Sequence, residues 1–329
     1  MAGSKQQAQN NGGCAVTSAP YACKTAVLLL VYRRPELTER VLNVIRQARP
    51  SHLLIAADGP HPERPQDPEL CARTRTVIEH GVDWPCEMKQ RYLLENAGCK
   101  RGVAGAIGWA FSQHERIVIL EDDCLPHPSF FRYCDELLEK YAEDSRVMQV
   151  AGSNLLHHAP SNSASYFASR FGVIWGWATW RRAWALYDME MTDWPSLRDS
   201  GALNRFCHLP GEAKRYTRLY DDVYSGRLDT WDAQWALTRQ RNGALSLVPS
   251  VNLISNIGFG KGATHTLHDD RLVSNSTLRE IELPLTHPTS IEPDNEADRR
   301  FFARCHREFG WLQRIARRLG LWSTRFFPG

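Results

Sequence analysis

Three adjacent carboxylates, Glu121, Asp122 and Asp123, follow directly on the apolar run Ile117-Val118-Ile119-Leu120. Acids on a short turn suit a hard divalent cation such as Mn²⁺ or Mg²⁺, which takes oxygen ligands and keeps positions open for phosphate oxygens. A cation held there would act as a Lewis acid on a phosphate leaving group. The bland alternative is that the acids only introduce the next helix, read here as His127 to Tyr141. Other residues of chemical interest sit at comparable places. Asp58-Gly59-Pro60 ends another apolar run, Arg33 follows a third, and Asn96 to Gly102 precedes a helical stretch. Backbone N–H groups at a helix start, with Lys100 and Arg101 beside them, suit an anion, although a plain loop explains the segment equally well.

The elements around these residues alternate. Thr25 to Val31 reads as a strand buried on both faces, and Pro35 opens a helix with Leu37, Val41, Leu42 and Ile45 on one side. His52 to Ala57 is a second strand, 68–79 a helix, 87–94 a third strand, 103–114 a helix and 116–120 a fourth strand. Such alternation predicts an α/β fold with a mostly parallel sheet and helices on both faces. Ligands of such sheets bind beyond the carboxyl ends of the strands, where Asp58, Asn96 and the acidic triplet all fall. After about Val150 the texture changes. Gly172, Trp175, Gly176, Trp177, Trp180 and Trp184 crowd together, a helix is expected around Thr230 to Arg241, and a Gly-rich segment runs from Gly258 to Gly262.

Composition sets limits. A hydrophobic share of 43% with 23% charged residues belongs to a globular chain, and a net charge of +3 is too small to announce a nucleic-acid partner. The nine cysteines are scattered and never in C-x-x-C spacing, so a reduced, cytoplasmic setting is the simplest expectation. The apolar run Ala26 to Val31 is far shorter than a membrane span, and the polar residues before it do not form a signal peptide. Residues 1–24 are expected to form a disordered tail. Near the other end, Trp311, Leu312, Ile315, Leu319 and Trp322 share a helical face flanked by Arg314, Arg317 and Arg318. Docking on the domain is the simpler reading of that helix; peripheral contact with an anionic membrane surface is the other.

The segment Leu120-Glu121-Asp122-Asp123, followed by Pro128, Phe130 and Phe131, resembles the acidic metal motif of the glycosyltransferase A-type fold. More narrowly, it is similar to the N-acetylglucosaminyltransferase I-like branch of nucleotide-diphospho-sugar transferases. The likeness continues in order through Gly176-Trp177, Trp231-Asp232-Ala233-Gln234-Trp235 and Gly258 to His265, covering roughly residues 25–270. The resemblance implies one Rossmann-like domain with a mixed, mostly parallel central sheet. Residues 25–150 would be its nucleotide-sugar half, 151–270 its acceptor half, and 271–329 a C-terminal extension.

The resemblance also implies roles. Asp123 would ligate Mn²⁺ or Mg²⁺ directly, with Glu121 and Asp122 facing the ribose and donor sugar or reaching the metal through water. Asp58 would accept a hydrogen bond from the base, although an Asp-Gly turn needs no ligand to explain it. Arg33 would meet the base or diphosphate, and Asn96 and Arg101 would line the nucleotide. Asp232 would be the base that takes the proton from an acceptor hydroxyl during inversion. The match is loose there, because close relatives carry two acids between the tryptophans; helix capping by Asp229 or Thr230 is the alternative. Lys261 and His265 would lie on a loop closing over the diphosphate, with His265 near the metal. Most of the tryptophans are expected in the core, with one or two left to stack on sugar.

The expected reaction is therefore metal-dependent, inverting transfer of a sugar from a nucleotide-diphosphate donor to a glycan or other hydroxyl acceptor. A non-catalytic sugar- or nucleotide-binding protein with a degenerate site is the alternative from a different class. A nucleotidyltransferase would show a Gly-rich, Arg-containing loop after the first strand, where this chain has Tyr32-Arg33-Arg34-Pro35. A phosphorylated-aspartate enzyme would need its nucleophile at the same place, and none is there.

Overall fold

The computed structural model describes residues 21–156, 163–258 and 276–304. The first half alternates strands and helices: β1 (Ala26–Val31), α1 (Pro35–Ala48), β2 (His52–Ala57), α2 (Asp67–Gly81), β3 (Glu87–Tyr92), α3 (Gly98–Phe111) and β4 (Arg116–Glu121). The short β5 (Cys124–Pro126) then leads into α4 (Ser129–Lys140) and β6 (Val147–Ala151). Beyond lie β7 (Tyr166–Ser169), β8 (Trp177–Trp180), α5 (Arg181–Trp184), α6 (Trp194–Asp199), α7 (Leu203–Phe206), α8 (Glu212–Tyr224) and α9 (Asp232–Arg241). The strands β9 (Leu245–Pro249) and β10 (Ile254–Asn256) follow, and residues 295–304 are helical.

Every residue of β1 is buried, and its side chains alternate between two cores. Val27, Leu29 and Val31 join Val41, Leu42 and Ile45 of α1 and Phe130, Leu137 and Leu138 of α4. Ala26, Leu28 and Leu30 join Ala104, Ile107 and Ala110 of α3 and Trp235 of α9 on the opposite face. A strand with helices on both sides has no room for a polar residue, which is why β1 reads as an unbroken apolar run.

Eight strands form one mixed sheet in the order β3-β2-β1-β4-β8-β6-β9-β7. β1 lies between β2 and β4 and is parallel to both, and β3 continues the parallel set. β8 runs antiparallel between β4 and β6, β9 is parallel to β6, and β7 closes the edge antiparallel. This is the α/β, mostly parallel architecture expected from the alternation. A separate two-stranded sheet pairs β10 with β5, so Asn256 lies opposite Cys124, one residue past the acidic triplet. A third apolar cluster, with Trp194, Leu203, Leu219, Tyr220 and Leu237 at its centre, joins α6, α7, α8 and α9.

Three local features differ from the sequence expectations. Trp177 to Trp180, for which the sequence predicts no strand, form β8, and the helical turn α5 follows at Arg181. α3 begins at Gly98 rather than Val103, and two of its glycines lie against single side chains at the end of β2 and on β3. A Cβ at Gly102 would sit 3.4 Å from Asp58 Oδ2, and one at Gly105 3.4 Å from Arg91 Nη2. Finally, Tyr21 to Lys24, grouped with the tail in the sequence, are fastened to α4. Asp135 accepts hydrogen bonds from the Tyr21 hydroxyl at 2.6 Å and from the Lys24 and Thr25 N–H groups at 2.9 Å. No helix among the described residues is long and apolar enough to cross a membrane. The amphipathic helix expected after residue 304 lies outside the described residues.

Candidate functional site

The acidic triplet lies where β1 and β4 end side by side. Leu30 is in register with Glu121, and the Leu30 carbonyl accepts the Asp122 N–H at 3.0 Å. The Tyr32 N–H returns a bond to Asp122 Oδ2 at 3.2 Å. The Asp123 carbonyl accepts the Ile257 N–H at 2.8 Å, which brings the chain after β10 onto the same turn. Gly258 follows immediately, and a Cβ there would come within 2.3 Å of Asp123 Oδ2. Only glycine fits so close an approach. The Gly-rich segment that includes Lys261 and His265 therefore starts beside the Asp123 carboxylate; those two residues lie outside the described residues.

Among the described residues, the charge partner of the triplet is Arg34. Its Nη1 donates to Asp123 Oδ2 at 2.8 Å, and its Nη2 stands 2.6 Å from Asp122 Oδ1, an ion-pair contact out of hydrogen-bond alignment. One guanidinium cannot neutralise three carboxylates. Lost solvation, then repulsion from Asp123 with Arg34 opposing it, pushes Glu121 up to about 8 although part of its surface reaches solvent. Burial also raises Asp122, to about 6, against the attraction of Arg34. Asp232 adds repulsion to Glu121, which puts the start of α9 in the electrostatic neighbourhood of a turn more than a hundred residues earlier in the chain.

Asp232 is 7% exposed at the first position of α9. Its Oδ1 accepts the Thr230 hydroxyl and, at 3.0 Å, the Ala233 N–H. Burial raises its pKa, and these donors pull the other way. It is thus a sequestered carboxylate held in a fixed orientation. Behind it stand the tryptophans. Trp177 stacks on Trp231 with ring centres 5.7 Å apart, and Trp184 stacks on Tyr187 at 4.2 Å. Trp177, Trp184, Trp231 and Trp235 are all buried and form core, as expected for most of them; Trp175 alone of this group is half-buried.

Asp58 holds a loop. Its Oδ1 accepts the Gly59 and Ala97 N–H groups at 2.8 Å each, and its Oδ2 accepts Asn96 Nδ2 at 3.0 Å. Asn96 also donates to the Gly59 carbonyl at 3.0 Å. Burial raises the Asp58 pKa while these bonds oppose the shift. Asp58 and Asn96 are therefore brought together, with each other as partners. The start of α3 is occupied as well: the Cys99 N–H donates to Asp229 Oδ2 at 3.0 Å, and Lys100 pairs with Glu190 at 2.9 Å. Asp229, read in the sequence as a cap for its own helix, instead caps another one. Arg101 is exposed on α3.

Arg33 turns away from the triplet to Asp67 at 3.0 Å, a buried acid that also accepts the Tyr32 hydroxyl and the His61 N–H. Sequence reasoning chose Arg33 and missed Arg34. Two consecutive arginines are indistinguishable by residue type, and the packing of β1 beside β4 brings Arg34 to the turn. Among the described residues no group of three or more His, Cys, Asp or Glu side chains has the geometry to hold a metal by itself. All seven cysteines among the described residues are free thiols.

No family model and no curated protein matches the chain. A solved structure described as UDP-glucose pyrophosphorylase complexed with UDP-glucose is similar at a TM-score of 0.30 and 12% identity, over 50% of this chain and 78% of that one. A likeness at that level bears on neither the activity nor the ligand of this protein.

Proposed function

We propose that the protein is a glycosyltransferase that moves a sugar from a nucleotide-diphosphate donor to a hydroxyl acceptor, with a divalent cation on the turn Glu121-Asp122-Asp123. The observation that carries this reading is the convergence of the triplet, Arg34 and Asp232 at the carboxyl edge of the sheet. The donor set fits the cation. Mg²⁺ and its relatives need only one or two protein carboxylates when phosphate oxygens and water complete the shell, so the lack of a three-ligand cage is no obstacle. Burial raises Glu121 and Asp122, and repulsion from Asp123 adds to it; a cation on the turn would offset both.

Asp122 and Asp123 would hold the cation, which when bound supplies Lewis-acid stabilisation of the leaving diphosphate. Asp232 would accept the proton of the acceptor hydroxyl as that oxygen attacks the sugar. A buried carboxylate is a stronger base than a solvated one, and the Thr230 hydroxyl and Ala233 N–H fix its direction. Asp58 and Asn96 would shape the loop beside the nucleotide, with Arg101 on the adjoining exposed face of α3.

One observation favours the non-catalytic alternative: the Asp232 carboxylate is already occupied within its own turn, accepting the Thr230 hydroxyl and the Ala233 N–H. Turnover separates the two. Incubated with a panel of nucleotide sugars and Mn²⁺, the protein is expected to release the nucleoside diphosphate, to stop when the metal is chelated, and to lose at least about a hundredfold in rate in Asp232→Asn. Binding of a nucleotide sugar with no release under any condition would leave the binding-protein reading standing in its place.

A further inference from the structure

Arg34 uses the same carboxylates that a divalent cation would need. The pair is sheltered: the side chains of Arg34, Asp122 and Asp123 are 20%, 2% and 13% exposed. It is also confined, because a Cβ at Gly258 would lie 2.9 Å from Arg34 Nη1 as well as against Asp123. A hydrated cation and the guanidinium cannot both occupy that space. We propose that Arg34 is a displaceable counter-cation of the acidic turn, which neutralises Asp122 and Asp123 until a divalent ion takes their carboxylates and an incoming anion receives the guanidinium. This rests on the reading of the turn as a metal site given above.

The exchange follows from the placement of Arg34. It stands at the residue before α1, and its side chain makes no capping bond to that helix. Its Nε has no hydrogen-bond partner, so the carboxylates are its polar anchors among the described residues. Rotation of this side chain breaks nothing in the helix. The neighbouring Arg33 cannot take over, since Asp67 holds it. A guanidinium pushed off these two acids remains a sheltered charge, and leaving such a charge without a counter-ion is costly. The anion that accompanies the metal supplies one. Metal and anion binding are therefore coupled through Arg34, and the coupling works in both directions.

The test uses the full chain and counts bound Mn²⁺ by electron paramagnetic resonance, without nucleotide and with UDP as the probe anion. Without nucleotide, R34Q is expected to bind Mn²⁺ about tenfold more tightly than the wild type, because the competing cation is gone. R34K is expected to fall between them, since an ammonium cannot bridge two carboxylates as the planar fork does. UDP should tighten Mn²⁺ binding in the wild type and do so less in R34Q. Circular dichroism checks that each variant is folded, and R34K carries the comparison if R34Q is not. Equal Mn²⁺ affinity in the wild type and the folded variants overturns the exchange while leaving the metal site in place. No Mn²⁺ binding in any of them, with or without UDP, overturns the metal site and the exchange together.

Discussion

A carboxylate that accepts N–H donors from two loops ties them together, and Asp58 does so for the turn at Gly59 and the residues before α3. Asp58→Ala would leave those donors unpaired, at a cost of about 1–3 kcal/mol in urea unfolding. A loss within about half a kcal/mol, the range of an ordinary surface change, would mean that the loops stand without it. At this scale the sequence was informative about residue type and weak about direction. Asp58 and Asn96 were singled out correctly as neighbours of the strand ends, but nothing in the sequence said that they would bond each other. Arg33 and Arg34 are chemically identical, and only the packing of β1 beside β4 decides which meets the triplet and which meets Asp67. Asp229 was similarly hidden, because its acceptor role depends on contact between α3 and a segment 130 residues away.

Elements were more legible where a local pattern was strong. β1, β2 and β4 are short apolar runs because helices cover both faces, and α1 shows its buried side at helical spacing with Pro35 at its start. β8 was not legible: Trp177-Ala178-Thr179-Trp180 follows a glycine at positive φ and is paired with strands on both sides, features that emerge only in the sheet. The start of α3 escaped notice for a related reason. Gly98 and Gly102 precede the expected start at Val103 and suit a loop, yet they belong to the helix and face Asp229 and Asp58. A closer approach, to backbone, occurs outside α3 at Gly59, where a Cβ would lie 2.4 Å from the carbonyl carbon of Glu95. Gly59→Ala cannot be relieved by rotating a side chain. It is expected to cost about 1–3 kcal/mol through backbone displacement and to weaken nucleotide binding at the same time. An unchanged melting temperature would show that the two loops are free to separate.

At the scale of the whole molecule, one sheet edge gathers a few acidic residues from distant positions. The triplet ends β4, Asp58 ends β2, Asp232 opens α9, and the segment after β10 crosses Asp123. Doubly covered sheets collect their ligands at that edge, since strand ends and helix starts converge there. The sequence pattern made the edge foreseeable; the long-range pairings of β5 with β10 and of β6 with β9, which complete it, involve short segments with little periodicity of their own. The central claim is that this edge binds a nucleotide sugar through a cation on Asp123. Thermal unfolding of wild type and Asp123→Asn across a panel of nucleotide sugars, with Mn²⁺ or with chelator, tests it most directly. A ligand at a hundred times its Kd stabilises the folded state by about 2.7 kcal/mol. The account predicts such a rise in melting temperature for the wild type with the right donor and Mn²⁺ together, and none for Asp123→Asn or under chelation. A donor-induced rise that is the same in Asp123→Asn, or that persists when the metal is removed, would contradict it.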